Sequence, residues 1–71
     1  MTTIPTGEYE HFKGKRYTVL GVARHSEILE DMVIYQALYG DHETWVRPLR
    51  IFLEEVEHDD KKIPRFKYLG N

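Results

Sequence analysis

Not one of the seventy-one residues is a cysteine, and that absence limits how a chain of this size can hold a fold. A domain so short buries roughly 60% of the surface that its unfolded chain exposes. Its core then supplies only about 3–5 kcal/mol of net stability unless something reinforces it. Disulfides, a structural metal and self-association are the usual reinforcements. Without cysteine, disulfides and any Cys-ligated zinc or iron–sulfur site are excluded. Dense aromatic packing or a homodimer is left. Five Tyr, three Phe and one Trp provide for the first, because each such ring buries a large area.

Charge and hydropathy narrow the class further. Apolar and charged residues are mixed in ordinary globular proportion, which is not the signature of disorder. No apolar run approaches the length of a membrane span. Residues 1–6 lack the basic start and apolar stretch of a signal peptide, so the expectation is a cytoplasmic protein of bacterial type. The net charge of −2 disfavours a partner held mainly through phosphates. The acid is concentrated in Glu54, Glu55, Glu57, Asp59 and Asp60, while Arg16, Arg24, Arg47, Arg50 and Arg65 lie elsewhere. A local basic face beside an acidic edge is therefore compatible with the sum.

Residues 1–6, with Pro5, read as a flexible lead-in, and 7–71 as one domain. Residues 8–13 alternate poorly and give a weak strand pattern, and Gly14-Lys15 makes a turn. Residues 16–25 are a stronger strand, with Tyr17, Val19, Gly21 and Ala23 on one face and Thr18, Leu20 and Val22 on the other. Gly21 and Ala23 suggest a tight bend or close packing. Residues 26–31 fit either one helical turn capped by Ser26 or a loop. Residues 32–39 are apolar on both faces, a central strand, and Gly40-Asp41 turns the chain. Residues 44–47 are a short strand that Pro48 stops. Beyond Pro48, Leu49, Phe52, Leu53 and Val56 mark a helix face, but residues 52–58 also alternate. The reading taken is a helical turn over 48–52, then a strand, a turn at Asp59-Asp60-Lys61, and a strand over 63–69. The fold expected is mainly β: a small SH3-like barrel of five or six short strands with one short helical turn. An α+β domain with a longer helix after Pro48 is the alternative.

The residues also carry a resemblance. Gly7-x-Tyr9-x-His11-x-Lys13-Gly14, Tyr17, Ala23-Arg24-His25-Ser26-Glu27, Val33-x-Tyr35, Leu38-Tyr39-Gly40, Trp45-Val46-Arg47-Pro48, Phe52 and Arg65-Phe66 together resemble the DUF1653 family of small bacterial domains. The match runs from about Gly7 to Tyr68. The resemblance implies an SH3-like barrel and no established activity. Family members tend to have Gly where this chain has Asp60 in the last hairpin turn, and often Thr where it has Ile28. A strained turn at Asp60 is expected.

Arg24-His25-Ser26-Glu27 is the most chemically loaded stretch. Neighbours on a strand point to opposite faces, so His25 does not reach Ser26 as a base, and no oxyanion-hole motif is visible. The stretch reads as a strand end whose polar groups satisfy loop amides or touch a ligand. Trp45 and Arg47 share a face. They suit stacking and the recognition of carboxylate or phosphate. Alternatively Trp45 is the largest core residue and Arg47 pairs with Glu27, Glu30 or Asp31. Tyr35 and Tyr39 form either an aromatic platform or, as is commoner, core with a wet hydroxyl edge. His11, His25, His42 and His58 show no metal-ligand spacing, and no cofactor motif appears.

The function expected is a small binding module whose aromatic and arginine face takes a peptide, a protein loop or a nucleotide-like ligand. Its candidate residues are Arg24, His25, Ser26, Glu27, Tyr35, Tyr39, Trp45 and Arg47. An unidentified protein or peptide is the expected partner, ahead of nucleic acid. Two alternatives are an enzyme accessory or hydrolase-like site on His25 and Glu27, and a structural domain that pairs with itself or docks on a larger protein.

Overall fold

The computed structural model describes residues 3–70. Gly14 takes a φ of 99°, a conformation that side chains rarely adopt. The turn it forms, closed by His11 and Lys15 backbone bonds of 2.7 Å, folds β1 (Gly7–His11) back on β2 (Arg16–Arg24). From β2 the chain meanders through β3 (Asp31–Ala37) and β4 (Thr44–Pro48), one helical turn α1 (Leu49–Phe52), and a hairpin of β5 (Glu55–His58) and β6 (Lys61–Pro64). It ends in β7 (Phe66–Gly70), which returns beside β1.

The protein is mainly β, with seven strands rather than five or six. A five-stranded antiparallel sheet has the order β4-β3-β2-β1-β7, and β5-β6 form a separate pair. Among the described residues no ladder joins β4 to β7 or either sheet to the other, so hydrogen bonding does not close a barrel. No helix among these residues is long and apolar enough to cross a membrane.

The core lies on one face of the five-stranded sheet. Tyr9, Val19, Val33, Tyr35, Leu49, Phe52 and Phe66 are buried there, with Ile4, Tyr17 and Val22 packed against them. Tyr9 also donates its hydroxyl to the Pro5 carbonyl at 2.8 Å. The helical turn forms because Pro48, at φ −54°, starts it without needing an N–H. It ends at Phe52, so Leu49 and Phe52 reach the core while Leu53 is exposed. The longer helix through Val56 is therefore excluded.

Two elements depart from the expected pattern. The register between β2 and β3 shifts between Val19 and Gly21, leaving Leu20 as an extra, unpaired residue. Such a bulge reverses the facing of the residues beyond it. Val22 thus joins Tyr17 and Val19 on the core face rather than Thr18 and Leu20. Gly21 marks the bulge and not a close approach, since a Cβ there would meet nothing within 4 Å. The last expected strand is divided at Arg65. Its N–H donates to Glu54 and its carbonyl accepts from Phe12, which carries the chain from the hairpin to the sheet.

Asp59 and Asp60 both have positive φ, 53° and 65°, the requirement of a two-residue type I′ hairpin turn. His58 pairs with Lys61 across it. A non-glycine residue in this region stores about 1 kcal/mol or more of strain. Asp60→Gly is expected to raise stability by about 0.5–1 kcal/mol, seen as a Tm higher by about 2–6 °C. An unchanged or lower Tm would show that the turn is not strained at this position.

Candidate functional site

The candidate residues separate into two groups at opposite ends of β3. Arg24, His25, Ser26 and Glu27 lie at the β2–β3 turn beside Asp31, and Tyr39 lies beyond Ala37. The seven residues of β3 at ~3.3 Å each put roughly 20 Å between these ends. Trp45 and Arg47 lie between them, opposite Tyr35 and Val33 in the register.

The turn group holds itself together. Arg24 Nε is 3.6 Å from Asp31 Oδ1 across the strand pair. His25, not Ser26, acts as the cap. Its Nδ1 accepts the N–H groups of Glu27 at 3.2 Å and Ile28 at 3.4 Å. Its backbone N–H donates to Glu30, and its carbonyl accepts from Leu29. Ser26 Oγ donates to Glu27 Oε2. The segment is therefore a tight loop rather than a helical turn. Its tip is apolar and strained: Ile28 and Leu29 are 64% and 65% exposed, and Leu29 has φ 59°. With Nδ1 occupied by turn amides and the ring exposed, a hydrolase-like pair of His25 with Glu27 loses its geometric basis.

The second group forms a rim on the core face, near the edge strand β4. Trp45 is not the largest core residue: it is 49% exposed. Tyr35 is in the core, edge-on to Tyr17, Phe52 and Phe66. Its ring is not available as an open platform. Tyr39 is outside β3 and exposed. It packs edge-on against Tyr17 at 5.5 Å, and their hydroxyls share a hydrogen bond of 2.7 Å. Lys15 Nζ lies 4.8 Å from the Tyr39 ring centre.

Arg47 departs most from the expected pairing with Glu27, Glu30 or Asp31. Glu30 pairs with Arg50 at 2.6 Å, Asp31 with Arg24, and Glu27 lies by Ser26 and His25. Arg47 is half-buried, its guanidinium 5.5 Å from the Phe66 ring centre. It has no carboxylate within salt-bridge distance among the described residues.

Two titrating neighbours register this charge. Burial, chiefly, pushes the Tyr17 hydroxyl up to about 12; the hydrogen bond with Tyr39 adds to this, and Arg47 opposes it. Burial also holds His11 below the ordinary histidine value, and the Arg47, Arg65 and Lys13 charges lower it further. His11 Nδ1 accepts the Lys13 N–H at 3.2 Å, and its ring stands edge-on to Phe66 at 5.0 Å. His11 also lines a cleft of about 480 Å³ with Phe12, Gly14, Ile63 and Pro64. The sequence reading missed His11, Tyr17 and Phe66 as parts of this neighbourhood, although all three belong to the motifs that carry the family resemblance. Among the described residues no cluster of His, Asp and Glu has the geometry to hold a metal.

This geometry defines a small antiparallel β domain with one aromatic rim set among cations. A family model described as a protein of unknown function, DUF1653, matches residues 7–68. The chain belongs to the DUF1653 family. It is similar to a solved DUF1653 protein from Bordetella bronchiseptica, at 39% identity over 94% of this chain and 88% of that one, with a TM-score of 0.88. No curated protein matches the chain.

The lowered His11 value ties stability to pH. Above about 6.5, its ordinary value, His11 is neutral in both folded and unfolded chains. As pH falls through that value the unfolded chain takes up a proton first, so the His11 contribution to stability is lost. Urea unfolding between about pH 7.5 and 5 should show falling stability, with a shallower fall in His11→Gln. An equal slope in the variant would remove His11 as the cause.

Proposed function

We propose that the domain is a small binding module whose rim of Trp45, Tyr39 and Arg47, with Lys15 beside it, holds a peptide or protein loop bearing a carboxylate. Arg47 carries this reading. Partly buried charges ordinarily have partners, and this one rests on a ring with its donors uncommitted, beside a half-exposed tryptophan on the same face. A planar guanidinium takes a carboxylate in bidentate fashion, and exposed Trp and Tyr rings supply apolar contact at low entropic cost. The net charge of −2 favours a protein segment over a nucleic acid. A five-stranded sheet with a helical turn and a separate hairpin is compatible with an SH3-like barrel, a fold that works through its loops and rims, and a cytoplasmic bacterial setting suits a domain without cysteine.

The test is an amide-resolved NMR titration with a short acidic peptide containing an aromatic residue, and in parallel with single-stranded RNA, at about 150 mM salt. Shifts should cluster on Tyr17, Tyr39, Trp45 and Arg47 with the peptide. Arg47→Ala should weaken binding by about tenfold or more while the unfolding temperature stays near that of the parent. Equal peptide affinity in Arg47→Ala, or shifts with RNA alone, would overturn the reading.

A further inference from the structure

The outer edge of β4 is open, and its backbone polarity follows from the register. Ala37 N–H donates to the Glu43 carbonyl at 2.9 Å, so Ala37 and Glu43 form a hydrogen-bonded pair. Such pairs alternate along an antiparallel ladder. The Tyr35–Trp45 and Val33–Arg47 pairs are therefore also of this kind, and Ile34–Val46 and Met32–Pro48 are not. The N–H and C=O groups of Trp45 and Arg47 thus point to β3. Those of Thr44 and Val46, and the carbonyl of Pro48, point outward. Pro48 places its missing N–H on the open side, where it costs no bond to β3.

This edge has little protection beyond Pro48 at its end. The other edge strand, β7, presents Lys67 and pairs with β1 through an irregular register. Strand β4 carries one charge, Arg47, and Val46 is 63% exposed. Its unpaired N–H and C=O groups, beside an exposed Trp45 and Val46, are a template for a further strand.

We propose that this edge pairs antiparallel with the same edge of a second copy, centred on Val46, to make one continuous ten-stranded sheet. The segment is complementary to itself. With Val46 opposite Val46 of the second copy, each donates its N–H to the other's carbonyl. Each Thr44 N–H meets the carbonyl of Pro48 across the axis, and the Thr44 carbonyl, opposite a residue without an N–H, stays open to solvent. Trp45 falls opposite Arg47 of the second copy in a pair without hydrogen bonds, the type whose side chains approach most closely. The exposed indole meets the unpaired guanidinium twice, once on each side of the axis. No like charges are opposed within residues 44–48. An extended peptide could use the same hydrogen bonds, but the chain's own strand already carries the Trp and Arg at the matching positions. The inference rests on the edge backbone and not on the peptide reading of the rim.

Four inter-chain hydrogen bonds over a small area imply a weak dimer. Sedimentation should show the mass rising from one chain toward two between roughly 10 µM and 1 mM. At the upper end, hydrogen exchange should slow at the Thr44 and Val46 amides, which are open in the single chain, with no change at Trp45 and Arg47. Val46→Pro removes an outward N–H and leaves Trp45 and Arg47 in place. Val46→Lys opposes two like charges across the axis. Both variants should sediment as single chains at every concentration, with unfolding temperatures near the parent's. If one loses its fold, the other decides. A parent that sediments as one chain throughout overturns the proposal. So does a larger mass that a folded variant leaves unchanged, since assembly would then use another surface. Failure of either kind leaves peptide binding by the rim untouched, because that is read from Arg47→Ala.

Discussion

Phe52 and Phe66 lie nearly parallel, 4.1 Å apart, and this stack joins what the backbone leaves separate. Phe52 ends the helical turn that follows β4, and Phe66 begins β7 on the far side of the sheet. No ladder links those elements. Edge-on contacts from Tyr9 and Tyr35 to Phe52, and from Tyr17 and Tyr35 to Phe66, extend the stack to β1, β2 and β3. Each such pair adds about 0.5–1.5 kcal/mol beyond the area it buries. In a chain without disulfides, this ring cluster is what turns a one-sided sheet into a cored domain. It also supports the rim, because the Arg47 guanidinium lies over the Phe66 ring and Tyr39 packs edge-on against Tyr17.

The parts of the fold that sequence reveals are those set by strong local chemistry. Gly14 is free to take a positive φ, Pro48 has its φ fixed by its ring, and the Asp59-Asp60 pair tolerates the left-handed region, and each turn lies where those residues suit it. The bulge at Leu20 was not legible, because an extra residue in a strand leaves the alternation of side chains looking regular. Facing after the bulge depends on pairing with β3, a nonlocal fact. Trp45 is a similar case. Its alternation places it on one face with Arg47, as the register has it, but which face that is and whether the position is covered depend on packing that no local pattern encodes.

The charged residues divide in the same way. Arg24 with Asp31, Arg50 with Glu30 and Arg65 with Glu54 are tied in pairs that are exposed and individually weak. Together they commit Asp31, Glu30 and Glu54 to other arginines. The carboxylates expected for Arg47 are held elsewhere, a nonlocal fact that the sequence alone left undetermined. His11 shows the converse: partial burial of its ring and three surrounding cations disfavour its charged form, so the rim's positive character comes chiefly from residues fixed in charge.

Strands β1 and β7 are neighbours, with Glu8 opposite Gly70. The first and last strands of the domain therefore bring its two ends to the same place. A unit built this way can be spliced into a surface loop of another protein with little distortion of either, or cut elsewhere and rejoined at those ends as a circular permutant. Its topology suits it to being carried as a cassette within a larger chain.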